Sequence, residues 1–163
     1  MKSEIQLAFE KCRKEDRPAL ISYIVSSDPN KKKSLKILKS ISPHIDLAEI
    51  GFPFSTPIGD GSDIQTSSYR AIKNGFKMRD IFQLVKEYKK TNSSKPIILM
   101  GYYNMIFNYG DNKFLKDCKK SGVSGIICVD LPWPENKNFA KRCKNKSINF
   151  IQLLAPTTTK DRM

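Results

Sequence analysis

Short apolar runs alternate along this chain with longer stretches in which apolar positions recur at helical spacing. The runs at 19–25, 45–50, 96–100, 125–129 and 148–154 are rich in β-branched and aromatic residues and predict strands. Between them, the segments at 34–40, about 62–73, about 78–90, 112–121 and 134–146 predict helices, the clearest carrying Ile81, Phe82, Leu84, Val85 and Tyr88. A further helix over about 3–14 precedes the first strand. Ser26, Ser27, Asp28 and Pro29 supply helix-start chemistry after that strand, and Pro134 falls in a first helical turn, where a missing N–H costs least.

Strand–helix alternation with continuous apolar strands predicts a parallel sheet covered by helices. Two architectures fit: a doubly wound open sheet and a (β/α)8 barrel. No G-x-G-x-x-G follows the first strand, which weakens the dinucleotide-binding version. Both architectures put function at the C-terminal strand ends. Polar or proline-bearing loops fall there, at Ser26 to Asp28, Glu49 to Asp60, Tyr102 to Asn104, Asp130 to Pro132 and Ala155 to Thr158. No linker or low-complexity tract interrupts the pattern, so residues 1–163 read as one domain. A complete barrel takes about 250 residues. Five predicted strands are expected to form only the N-terminal part of one, with unpaired edges that favour aggregation when isolated.

The second strand ends in Glu49, which a buried strand does not need for packing. The loop after it, Gly51-Phe52-Pro53-Phe54-Ser55-Thr56-Pro57-Ile58-Gly59-Asp60-Gly61, presents a second carboxylate on backbone shaped by proline and glycine. Two acidic groups on one rim suit acid–base chemistry, one raised in pKa by burial and the other kept ionised by the N–H groups of its loop.

Charge and cysteine content narrow the classes. The net charge of +13 comes from 29 basic and 16 acidic residues, but the lysines are scattered over predicted helix ends, as at Lys31 to Lys33, Lys89, Lys90, Lys119 and Lys120. No basic stripe interleaves with aromatics, which argues against nucleic acid as a partner. No apolar run reaches the roughly 18 residues of a membrane span, and the N-terminus lacks the apolar core of a signal peptide. Cys12, Cys118, Cys128 and Cys143 form no C-x-x-C pair, so they read as free thiols of a cytoplasmic protein without a zinc site. His44, the single histidine, reads as a solvated loop residue.

The run from Glu49 to Gln65 resembles the signature of the tryptophan synthase alpha chain family. Asp28-Pro29, Met100 to Asn104, Asp130 to Pro132 and Leu154 to Thr158 with Arg162 resemble that family in the same order along the chain. The resemblance implies a (β/α)8 barrel that cleaves indole-3-glycerol phosphate to indole and glyceraldehyde 3-phosphate, using no metal or organic cofactor. It assigns Glu49 to proton transfer at the indole C3 and the glycerol hydroxyl, and Asp60 to the ring N–H. Tyr23 and Leu99 or Met100 would line the indole pocket and Tyr102 would close its side, unless they are ordinary barrel core. Asp130 would be a supporting acid at the rim, or a helix-terminal or loop hydrogen bond.

The resemblance also implies a partner. Indole would pass to a pyridoxal-phosphate-bearing beta chain in an alpha2-beta2 assembly, contacted through the loop Pro53, Phe54, Ser55, Thr56 and Pro57. This sequence departs from the family at Thr56, where aspartate is usual, at Gly59, where alanine is usual, and at Ser62, where proline is usual. Thr56 bears on the partner contact, and Gly59 loosens the loop that carries Asp60. The glycine-rich phosphate loops of the family would lie beyond Met163. A second reading, an interaction protein that only binds or activates a beta chain, is disfavoured by the presence of both carboxylates.

Overall fold

The sheet order decides between the two architectures. In a computed structural model, which describes residues 2–163, five parallel strands run in the order β1-β2-β3-β4-β5: Ile21–Val25, Leu47–Gly51, Ile97–Gly101, Gly125–Cys128 and Asn149–Ile151. A doubly wound sheet reverses its order at a switch point. Here each strand is laid beside its predecessor, which is how a barrel wall is wound.

Register then sorts every side chain to one of two faces, because strand side chains alternate. Tyr23, Glu49, Ile98, Gly125 and Asn149 stand level across the sheet. Leu47, Ile98 and Ile127, flanked by Met100 and Ile151, share their face and pack against Ile5 and Ala8 of helix α1, Glu4–Lys14. Ala48, Ile50, Ile97, Leu99, Ile126 and Cys128 take the other face and form the larger core. That core also holds residues of α2 (Lys31–Ile41), α4 (Met78–Lys89), α6 (Asp111–Ser121) and α7 (Lys137–Asn145).

Helix α1 is fastened at both ends. Ser3 and Gln6 form a reciprocal capping box, and Glu4 Oε2 accepts from Ser124 Oγ at 2.6 Å and Lys89 Nζ at 3.0 Å. Past its C-terminus, Arg17 donates through Nη1 and Nη2 to the two oxygens of Asp46, each at 2.8 Å, and the Leu20 N–H donates to Asp46 Oδ2 at 2.8 Å. The bidentate guanidinium holds the Asp46 carboxyl well below the ordinary carboxylate range. A carboxyl depressed on folding contributes stability that is complete above its unfolded pKa of about 4 and is lost as pH falls toward the folded value. Asp46→Asn is therefore expected to lower the melting temperature at neutral pH and to flatten its decline below about pH 4. An unchanged acid limb in a pH series of thermal melts would contradict this.

Several boundaries differ from the sequence expectation. Helix α2 starts at Lys31 and is capped by Asn30, whose Oδ1 accepts from the Lys33 N–H at 2.9 Å. Asp28 is instead drawn into a bidentate pair with Arg70 of α3, Ser62–Lys73, at 2.8 Å through each oxygen. Helix α7 begins at Lys137, because Pro134 belongs to the turn before it rather than to its first turn. Strand β5 covers 149–151 only, and residues 152–154 are exposed.

A seven-residue helix, α5 (Tyr103–Tyr109), occupies the segment expected to be a rim loop after β3. Gly110, at φ +89°, separates it from α6 in a backbone conformation that glycine adopts without strain. Among the described residues no helix is long and apolar enough to cross a membrane. His44 is exposed in a short turn before β2, and all four cysteines are free and buried.

Candidate active site

Glu49 sits on the face of the sheet that the larger core does not use, beside Tyr23 on β1 and Ile98 on β3. It is half-buried, and that burial raises its carboxyl above the ordinary glutamate range. Two residues further along β2, Gly51 makes room for Tyr23: a Cβ at Gly51 would stand 1.9 Å from the phenol oxygen. Any side chain there would expel Tyr23 from its seat beside Glu49. Burial raises the Tyr23 hydroxyl pKa, and the negative charges of Asp60 and Glu49 raise it further. The phenol thus stands within electrostatic reach of both carboxylates.

Asp60 is brought to this face by the loop between β2 and α3. The turn is tight: the Ile58 N–H donates to Thr56 O at 2.9 Å and the Asp60 N–H to Pro57 O at 3.0 Å. From the first turn of α3, Gln65 Nε2 holds the Asp60 carbonyl at 2.8 Å. The partner of the Asp60 carboxylate is the Tyr102 hydroxyl, which donates to Oδ2 at 3.2 Å. The sequence predicts loop N–H groups in that role, and the structure corrects this. The Gly59 N–H is directed to the Tyr102 oxygen instead, at 2.9 Å.

Met100 lies level with Gly51 on the site's face and is half-buried. Leu99 does not reach that face. It is fully buried in the core behind the sheet, so its expected place in the pocket wall is corrected. The continuous apolar run of β3 hides which residue faces which way, and only the register separates them.

Asp130 serves the structural alternative. Its Oδ1 accepts from the Tyr103 N–H, the first of α5, at 2.7 Å, and from Cys128 Sγ at 3.6 Å. A carboxylate at a helix N-terminus satisfies an otherwise unpaired donor and complements the helix dipole. It fixes the turn that carries Tyr102, and a role as supporting acid is not what its contacts provide.

Of the loop expected to meet a partner, Pro53 is buried and Phe54 is turned inward, its ring 5.0 Å from that of Tyr102. Ser55 and Thr56 are exposed and Pro57 is half-buried. Ile58, not anticipated from the sequence, is the most exposed large apolar residue of the loop at 83%. Trp133 is also exposed, with Lys137 Nζ 4.3 Å from its ring centre. Among the described residues, no three His, Cys, Asp or Glu side chains are grouped as a metal site would need.

The fold and this rim define a parallel barrel-type chain with two acidic side chains and two phenols at the C-terminal strand ends. Residues 9–163 match the family described as tryptophan synthase alpha chain, and the chain belongs to that family. It is 62% identical over 161 residues to the tryptophan synthase alpha chain of Pelagibacter ubique, a match covering 99% of this chain and 61% of that one. It is 44% identical over 145 residues to that of Pyrococcus furiosus, covering 89% of this chain and 58% of that one. Among solved structures, tryptophan synthase subunit alpha from Legionella pneumophila superposes with a TM-score of 0.96 at 30% identity, covering 99% of this chain and 62% of that one. The chain thus spans about three-fifths of the length of these relatives. Its five parallel strands match those of tryptophan synthase alpha barrels.

Proposed function

We propose that this chain carries the acid–base machinery for cleaving indole-3-glycerol phosphate to indole and glyceraldehyde 3-phosphate. The observation that carries the reading is the pairing of a half-buried Glu49, raised in pKa by burial, with an Asp60 held by a phenol on the same rim. A carboxyl whose pKa is raised holds a deliverable proton over a wider pH range, and that proton goes to the indole C3. The pyrrole ring then loses aromaticity and its nitrogen becomes positive, where Asp60 accepts the N–H. The glycerol hydroxyl next gives its proton to the Glu49 carboxylate as the carbon–carbon bond breaks. The bonding pair returns to the ring, glyceraldehyde 3-phosphate leaves as the aldehyde, and Glu49 ends protonated again. Each such proton-transfer group contributes about 10²–10⁴-fold.

Tyr23 and Met100 form the wall against which the flat ring rests, and the chemistry requires no metal or organic cofactor on this chain. The Pyrococcus furiosus structures are of a tryptophan synthase complex, an a2b2 assembly. We extend that to a beta chain here, docked on the exposed tip Ser55, Thr56 and Ile58, with pyridoxal phosphate belonging to the partner. The setting is cytoplasmic amino-acid biosynthesis. A role confined to partner binding has no support among the relatives.

The test is complementation. The coding segment is joined to the part of the Pelagibacter relative that this chain does not span, restoring full length, and expressed in a bacterium that lacks its own alpha chain. Growth without tryptophan or indole is expected. Growth only when indole is supplied, with the fusion present at normal levels, would contradict the proposal.

A further inference from the structure

The Tyr102 hydroxyl has one proton, and its surroundings decide where that proton goes. The Gly59 N–H donates to the phenol oxygen at 2.9 Å, so one of its acceptor positions is taken by the backbone of the Asp60 loop. The proton is then directed to Asp60 Oδ2 at 3.2 Å. The ring is only 4% exposed and packs 5.0 Å from Phe54, and the turn beneath it is anchored by Asp130 on the Tyr103 N–H. Tyr102 is therefore a rigid post carrying two bonds to adjacent loop residues.

We infer that Tyr102 is a positioning residue for Asp60: it sets the orientation of that carboxyl by donating to one oxygen while holding the loop through Gly59. This rests on the proposed lyase reading and deepens it, moving Tyr102 from pocket wall to the support of the group that meets the ring nitrogen. The unbonded oxygen of Asp60 is left to accept the indole N–H in a fixed direction. Because the positive charge on that nitrogen exists only after C3 is protonated, misorientation raises the barrel's barrier for chemistry and not the substrate's ground-state binding. A Cβ at Gly59 would stand 3.2 Å from the Tyr102 hydroxyl and 3.3 Å from Val129 Cγ1, so the backbone of the Asp60 loop lies close against the phenol that holds it.

The experiment uses the full-length fusion and steady-state kinetics on indole-3-glycerol phosphate. Tyr102→Phe removes one oxygen and keeps the ring, and is expected to lower kcat about 10- to 100-fold with KM within about twofold. Asp60→Asn is expected to lower kcat, and Tyr102→Phe to add little in the Asp60→Asn background, where the carboxylate it orients is gone. A raised KM with kcat retained would make Tyr102 a pocket wall and overturn the inference. Additive losses from Asp60→Asn and Tyr102→Phe would overturn it as well. An inactive wild-type fusion would instead overturn the lyase reading on which it rests, and thermal melts of each variant separate either result from misfolding.

Discussion

Glu49→Gln is expected to abolish indole release while leaving the protein at least as stable at neutral pH. Glutamine keeps the shape and removes the transferable proton, so the loss should be at least the about 10²–10⁴-fold of a proton-transfer group. The stability arm separates this from a structural role. Burial raises the Glu49 carboxyl on folding, so its contribution is complete below the unfolded pKa and declines as pH rises through the folded one. At neutral pH the unfolded chain carries this carboxyl ionised, so burying it opposes folding, and a neutral amide relieves that. Parallel measurements of kcat/KM and of the thermal midpoint from pH 5 to 8 check both arms. A variant that is inactive because it melts early would sink the catalytic assignment.

Leu99→Ala is expected to cost about 2–5 kcal/mol of stability, as for other large-to-small changes in a sealed core. Leu99 is fully buried among the helices behind the sheet, where the cavity left by three missing carbon atoms cannot fill with solvent. Its neighbour Met100, half-buried on the site's face, should show the reverse when changed to alanine: a smaller stability loss and a higher KM. Urea unfolding alongside kinetics on both variants checks the pair. Equal stability losses at 99 and 100, or a KM effect confined to Leu99, would mean that the assigned faces of β3 are reversed.

That contrast shows where sequence reasoning stopped. The strands were legible because each is a compact apolar run, and the acidic rim because Glu49 and Asp60 have no packing reason to be there. The face of each β3 residue was not legible, since a strand buried on both sides carries no alternation to read. Helix α5 was missed because Asn104, Asn108 and Gly110 look like loop residues. Ile106, buried three residues after Tyr103 on the same helical side, was the available signal. The supports of the site lay further out of reach. Asp60 and Tyr102 are 42 positions apart and Tyr103 and Asp130 are 27 apart, so only the folded chain shows that one aspartate is held by a phenol and the other caps a helix.

Barrel winding also depended on information no single segment carries. Each βα unit reads alike in an open sheet and in a barrel, and the order in which the strands pair is what distinguishes them. Once that order is known, the chemistry falls at the C-terminal strand ends for the usual reason: loops there are free to vary while the wall stays fixed.

The most direct measurement is indole production by the purified full-length fusion supplied with indole-3-glycerol phosphate alone, without serine or pyridoxal phosphate. The account predicts indole and glyceraldehyde 3-phosphate in equal amounts, and none from the Glu49→Gln form. No indole from a well-folded fusion, or equal production by both forms, would contradict it.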